Sequence, residues 1–259
     1  MRRHWRVLLV VVSLVAVGAA CSGSAPAAPA PTPGPGPLPV DSPARVLMLT
    51  ATAGFRHDSI DTAREVMTTL ASTTRAFTVT TTEDLSTLSG ATLASYDVLF
   101  FALTSGELAL SEAQKAAILA FVDSGNGLLG VHSATDTLYG WPEYGALLGA
   151  YFREHPWTQP ATVLVENGSH PSTEGLGDRF SLREEFYTFQ VNPRPRVQVL
   201  LRLDPASVGT TGDYPLAWTK TSGTGRVYYN ALGHFAETWR DPRFQQQLTG
   251  AIRWLCQRC

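Results

Sequence analysis

Three of the six histidines stand just beyond apolar runs: His57 in Gly54-Phe55-Arg56-His57-Asp58, His132 in Gly130-Val131-His132-Ser133-Ala134, and His234 in Ala231-Leu232-Gly233-His234. Imidazole titrates near neutrality and, when neutral, binds metals, so rings brought together could move protons or hold a divalent cation. One such residue alone reads more simply as a hydrogen-bonded structural histidine. Three at equivalent strand ends point to a site. His155 and His170 lie in segments expected to be loops over the same edge. Asp136 follows His132 by four positions, and Glu184-Glu185 sits inside Arg183-Glu184-Glu185-Phe186-Tyr187. Adjacent residues of a strand point to opposite faces, so one of the two glutamates is expected inward. An inward carboxylate among imidazoles would orient a ring, act as a base or ligate a metal. The alternative is that the pair is neutralised by Arg183 or another arginine.

Aromatic residues are dense beside these positions: Tyr139, Trp141, Tyr144, Trp157, Tyr187 and Trp239. A flat ring bordered by polar groups suits the apolar C–H face of a sugar, and it suits a core equally. Trp141 and Trp157, each beside a proline, are the ones expected in loops and free to meet a ligand. Several chemistries are excluded by pattern. Gly125-Asn126-Gly127-Leu128-Leu129-Gly130 fits G-x-G-x-x-G literally, but it runs from a helix end into a strand, the reverse of the turn that cradles a pyrophosphate. No G-x-S-x-G elbow, Walker loop or H-E-x-x-H occurs.

The elements that must carry these residues follow from hydrophobic periodicity. Val46 to Leu49, Val98 to Leu103 and Leu128 to Val131 are continuous apolar runs, the mark of strands buried on both faces. Between them, Ile60, Ala63, Val66, Met67 and Leu70 share one helical face, and Ser111 with Gln114 forms a capping box ahead of Ala117, Ile118 and Phe121. This alternation predicts an α/β fold with a mainly parallel central sheet and helices on both faces. In the second half, Ala161–Glu166, Val197–Asp204, Pro215–Trp218 and Arg226–Leu232 are strands joined by turns, so antiparallel additions are expected there. In such a sheet ligands gather at the carboxyl ends of the strands, which is where the three histidines fall. Asp241-Pro242 opens a final helix through Trp254.

The chain has 259 residues with 20 basic and 22 acidic side chains, and without Arg2, Arg3 and Arg6 it carries 17 basic against 22 acidic. Lysine occurs only at positions 115 and 220. A nucleic-acid partner is therefore not expected, because phosphate neutralisation needs concentrated positive charge. The basic start and the apolar run Val7–Val17 read as a signal peptide over residues 1–21. Gly18-Ala19-Ala20-Cys21 resembles a bacterial lipobox, with Gly18 where that motif usually has leucine; cleavage nearby with Cys21 left as a thiol is the alternative. Residues 22–43, rich in Pro, Ala, Gly and Ser, read as a flexible linker. Together these predict an exported protein, lipid-anchored through Cys21 to the outer face of a bacterial membrane, with one folded domain over 44–259. The Cys256-x-x-Cys259 pair closes a helix rather than opening one, which suggests a structural disulfide or two idle thiols and not a redox site.

Four segments taken in order resemble the ThuA-like trehalose-utilisation family: Gly54-Phe55-Arg56-His57-Asp58-Ser59-Ile60; Gly127 through Asp136; Trp141-Pro142-Glu143-Tyr144-Gly145 with Leu148-Gly149-Ala150-Tyr151-Phe152; and Ala231-Leu232-Gly233-His234. The resemblance runs from about Val46 to Trp254. It implies a fold similar to class I glutamine amidotransferases, in which His132 takes the place of the nucleophilic cysteine, so thiol-dependent amidotransfer is not implied. It further implies a small-molecule carbohydrate partner and a role in the breakdown of disaccharides, glycosides or keto-sugars. The family's middle acidic pair commonly reads Asp-Glu; this chain has Glu184-Glu185 and retains Glu185 and Tyr187, making Glu184 the weaker candidate. The expected catalytic residues are thus His132, Glu185, His57 and His234, with His132 and Glu185 as base and acid and His57 and His234 on a metal or a polarised oxygen. Arg56, Asp136, Tyr139, Trp141, His155 and Tyr187 are expected to contact substrate. The reaction expected is that of an isomerase, epimerase or lyase, with a divalent metal as the one cofactor considered. The alternatives are a carbohydrate-binding lipoprotein without catalysis and a purely structural envelope protein.

Overall fold

The computed structural model describes residues 42–259; the expected signal segment, Cys21 and the linker up to residue 41 lie outside the described residues. The chain enters the fold through β1 (Ala44–Leu49), and alternates through α1 (Ile60–Thr74), β2 (Phe77–Thr82), α2 (Gly90–Leu93), β3 (Val98–Ala102), α3 (Glu112–Asp123), β4 (Gly127–Val131) and α4 (Pro142–Leu148). It then changes character. Strands β5 (Phe152–Val165), β6 (Arg179–Phe189), β7 (Gln198–Leu203), β8 (Pro215–Ser222) and β9 (Gly225–Asn230) follow with no α-helix between them, and α5 (Ala236–Arg240) and α6 (Pro242–Leu255) close the chain.

The nine strands form one sheet in the order β2-β1-β3-β4-β9-β8-β7-β5-β6. From β2 to β9 every pairing is parallel, and from β9 to β6 every pairing is antiparallel. The expected α/β class, parallel first and antiparallel later, is what the fold displays. The parallel half is apolar because it is covered on both sides: all five residues of β3 and all five of β4 are buried. Helix α1 presents Ile60, Ala63, Val66, Met67 and Leu70 to the core, and the Ser111–Gln114 capping box forms at the start of α3. At the entrance to α6, Asp241 accepts a hydrogen bond from the Arg243 amide and Pro242 fills the first helical position, where a missing N–H costs nothing. Gly223 sits at φ 55° in the β8–β9 hairpin, and a Cβ there would lie 2.7 Å from the Asp123 backbone. Cys256 and Cys259 are joined by a disulfide.

The largest difference from expectation is β5. His155, Pro156 and Trp157 belong to a strand rather than to a loop. Two prolines, Pro156 and Pro160, mask the strand pattern, yet they are tolerated because this stretch pairs only with β6, while β7 joins β5 no earlier than Val163. Two register shifts, between Phe152 and Glu154 and between Glu154 and Trp157, break the alternation further.

Candidate active site

The three strand-end histidines meet. Ring centroids are 4.8 Å apart for His57 and His132, 5.1 Å for His57 and His234, and 5.3 Å for His132 and His234. His132 follows the last residue of β4 and is completely buried, with φ at 53°, a left-handed conformation that costs a non-glycine residue about 1–3 kcal/mol. Three contacts hold it there. The Tyr229 hydroxyl, from β9, donates to the His132 carbonyl at 2.8 Å, His132 Nδ1 donates to the Ala231 carbonyl at 2.8 Å, and the Tyr187 hydroxyl, from β6, reaches Nε2 at 2.9 Å. Because a carbonyl can only accept, the proton of the neutral ring is on Nδ1, and Nε2 carries a lone pair that accepts from Tyr187.

His234 lies four residues beyond the end of β9, after Gly233, whose φ of 125° few side chains would allow. Its loop is tied down by a carboxylate. Glu184, fully buried in β6, accepts hydrogen bonds from the Gly233 amide (2.9 Å), the His234 amide (3.2 Å), the Thr238 hydroxyl (2.6 Å) and the Glu185 amide (2.9 Å). Burial raises its pKa, and these donors partly offset the rise. Glu185 points the other way, as alternation requires. Its Oε2 is 2.9 Å from His234 Nδ1 and 3.8 Å from His132 Nε2, and its Oε1 is 3.7 Å from His155 Nδ1. Burial pushes the Glu185 pKa up, but the hydrogen bond from His234 and the surrounding imidazoles outweigh it and hold the pKa below its ordinary value. Neither glutamate is neutralised by an arginine.

Two of the rings, His57 and His132, are kept neutral. Burial, and then the neighbouring His234, lowers His57 to about 4, and burial with His57 alongside takes His132 well below its ordinary value. His57 Nδ1 is buried without a hydrogen-bond partner. The group opens onto a cavity of about 310 Å³ whose polar wall is His57, Asp136, His155, Glu185, Tyr187 and His234, with Phe55 and Phe152 as its apolar edges. A hexose ring with a substituent is of that size, and the mixed wall suits one. A neighbouring cleft of about 380 Å³ shares Tyr187 and contains Trp157 and Tyr214, but its acids Glu154 and Asp213 are paired with Arg153 and Arg194.

The remaining expectations divide. Asp136, His155 and Tyr187 line the cavity. Tyr139 acts one step back: its hydroxyl donates to Asp136 Oδ1 at 2.7 Å and to the Phe152 carbonyl at 3.2 Å. Two assignments are corrected. Arg56 faces away and pairs with Glu83 at 2.8 Å on the surface, since the turn that buries His57 puts its neighbour outside. Trp141 is buried and stacked on Tyr144 at 5.7 Å, because its large apolar area is more favourable in the core than at a wet rim. His170 stays apart from the cluster, packed against Tyr228 and Trp254. Sequence reasoning missed Phe55 and Phe152, which a search for polar groups passes over, and the anchoring role of Glu184 with Thr238. The signal for Glu184 was its neighbour: if Glu185 faces a ligand, Glu184 faces the interior and must find donors there.

A mixed sheet with helices around it and a histidine at the turn that follows β4 is consistent with a class I glutamine amidotransferase-like fold. A family model described as ThuA, trehalose utilisation, matches residues 45–255, and the chain belongs to that family. Among solved structures, a ThuA-like protein from Bacteroides uniformis ATCC 8492 is 25% identical with a TM-score of 0.68, covering 88% of this chain and 95% of that one. A second, from Parabacteroides merdae ATCC 43184, is 17% identical with a TM-score of 0.68 over 83% and 90%. A GMP synthase subunit from Thermoplasma acidophilum shares the fold at 11% identity, TM-score 0.51, over 82% and 94%. No curated protein matches the chain. Family membership indicates a role in carbohydrate metabolism and a small-molecule carbohydrate ligand.

Proposed function

We propose that the site moves a proton beside the carbonyl of a sugar or keto-sugar, as an isomerase, epimerase or lyase of disaccharide or glycoside breakdown. The observation that carries this reading is the meeting of three imidazoles with a cavity-facing carboxylate, Glu185, that contacts two of them. Proton abstraction next to a carbonyl needs a base near the C–H bond and an electrophile opposite the developing oxyanion. Glu185 is the base: one oxygen is held by His234 and the other faces the cavity and His155. It takes the proton as the C–H electron pair moves into a carbon–carbon double bond and the carbonyl oxygen becomes an enediolate oxygen. Returning the proton to the same carbon from the other face gives an epimer; returning it to the former carbonyl carbon, while the hydroxyl proton of the second enediol oxygen passes to the first, gives an isomer, with atoms and charge conserved. Expelling a substituent from the adjacent carbon gives the lyase outcome. The imidazole cluster faces the oxyanion, while Phe55 and Phe152 offer apolar faces to the ring.

The decisive measurement is wash-in of solvent deuterium at the carbon beside the carbonyl, followed by NMR over a panel of glycosides and their keto forms. Glu185→Gln, which keeps the shape and removes the base, is expected to slow the exchange by about 10²–10⁴-fold while leaving ligand affinity within a few fold. Exchange at the wild-type rate in that variant overturns the assignment. Binding without exchange by the wild-type protein would instead favour the carbohydrate-binding reading. For the cellular setting, we propose export and anchoring through Cys21, supported by Arg2-Arg3, the apolar Val7–Val17 run and the small residues before Cys21. Mass spectrometry of the mature chain from cells should find a diacylglyceryl-modified Cys21 at its N-terminus, and an unmodified cysteine would exclude the anchor.

A further inference from the structure

The histidine cluster keeps one polar atom, His57 Nδ1, buried without a hydrogen-bond partner among the described residues. His132 Nδ1 donates its proton to the Ala231 carbonyl, so Nε2 is a lone pair that accepts from the Tyr187 hydroxyl at 2.9 Å and also faces His234 Nδ1 at 3.3 Å and Glu185 Oε2 at 3.8 Å. His234 Nδ1 has at most one proton for two acceptors, Glu185 Oε2 and His132 Nε2. His57 is 5% exposed, its Nδ1 has no partner, and its ring stands edge-on to both other imidazoles. A buried polar atom left without a partner normally costs free energy.

We infer that His57, His132 and His234 form a binding site for one zinc-class divalent cation, with Glu185 beside it. Ligand-capable atoms of the three rings lie within 4.8 Å of one another. Donors at 2.0–2.1 Å around a tetrahedral ion are about 3.3 Å apart, which is the spacing from His132 Nε2 to His234 Nδ1. Imidazole donors favour zinc and its transition-metal neighbours over magnesium or calcium. The ring of His132 is braced by a backbone carbonyl on its other nitrogen, a usual support behind a metal-bound histidine, while His234 Nδ1 would exchange its contact with Glu185 Oε2 for the ion. His57 and His234 also line the cavity, so an ion held by the cluster would polarise a carbonyl oxygen bound there. The other grouping of potential ligands among the described residues, Asp97 with Cys256 and Cys259, is already satisfied by the Arg45 ion pair and the disulfide.

The inference deepens the proposed proton transfer by supplying its electrophile, since neutral His132 has no proton to offer through Nε2. The two can fail separately. Full-length protein purified without a histidine tag, stripped with a chelator and titrated with Zn²⁺ in a calorimeter should take up one ion per chain and gain melting temperature. His132→Ala and His57→Ala should each bind at least tenfold more weakly, whereas His170→Asn should bind as the parent does. If circular dichroism shows that the alanine variants do not fold, the Co²⁺ derivative of the parent decides. Intense visible bands of a low-coordinate site support the inference, and the weak bands of a hydrated ion overturn it. Absence of stoichiometric uptake by the parent, or unchanged affinity in both folded variants, also overturns it. Stripped protein that still exchanges substrate protons at full rate removes the cation and leaves the proton transfer standing; a bound ion without exchange does the reverse.

Discussion

The two halves of the sheet contribute to one cavity in different ways. The parallel half delivers His57, His132 and His234 from the loops after β1, β4 and β9, each at the carboxyl end of a strand, so their convergence follows from topology. The antiparallel half delivers Glu185 and Tyr187 from the middle of β6, and Phe152 and His155 from the bulged start of β5. Those positions obey pairing register and not strand ends. A site can thus be half dictated by the architecture of a sheet and half by the detailed register of an edge, and only the first half is common to every fold of this kind.

If that division is right, the antiparallel half should control the parallel half through Glu184, the one carboxylate that touches the His234 loop without facing the cavity. Glu184→Ala leaves the Gly233 and His234 amides and the Thr238 hydroxyl without their acceptor, and unmatched buried donors cost about 1–3 kcal/mol each, so a loss of about 3 kcal/mol in unfolding free energy is expected. Denaturant titration measures it. Glu184→Gln, which keeps one acceptor oxygen, should lose less than half as much. Equal losses, or none, would mean that the loop is held by the parallel half after all.

What was legible before the structure follows the same line. Continuous apolar runs at Val98 and Leu128 announced parallel strands, and the histidines beyond the runs that end at Leu49, Val131 and Leu232 announced where the rings would meet, because strand ends are readable in one dimension. From the residues alone Glu185 was legible as one of an adjacent pair and Tyr187 as one of several aromatics, and the family resemblance singled out both. Phe152 and His155 were not legible as strand residues, since Pro156, Pro160 and two register shifts erase the alternation that marks a strand. Trp141 misled for the opposite reason. A tryptophan beside a proline reads as a loop residue open to ligand, but its ring packs on Tyr144 and the core receives it. Arg56 misled because adjacency to His57 in the chain says nothing about facing the same way.

His170 offers the smaller and cleaner test of the comparison, since it is an equally buried imidazole in the antiparallel half that joins no cluster. It lies between β5 and β6, its Nδ1 is shared with the Ser172 hydroxyl at 2.8 Å, and its Nε2 has no partner. Burial, followed by the nearby Arg226, lowers its pKa from 6.5 to about 4. Between those two values the unfolded chain binds a proton that the folded chain refuses, so this group makes stability fall as pH drops through that window. Above 6.5 its contribution is constant. With one pKa unit worth about 1.4 kcal/mol, the share of acid destabilisation due to His170 between pH 7 and pH 5 is on the order of 2 kcal/mol. His170→Asn keeps an acceptor near Ser172 and cannot titrate there, so its unfolding free energy should fall by that much less than the parent's over the same interval, while deuterium wash-in at neutral pH is unchanged. A pH profile parallel to the parent's would show that His170 is solvated enough to keep its ordinary pKa. Slowed exchange would be the more damaging result, because it would bring into the site a ring that no strand end delivers and no cavity wall includes.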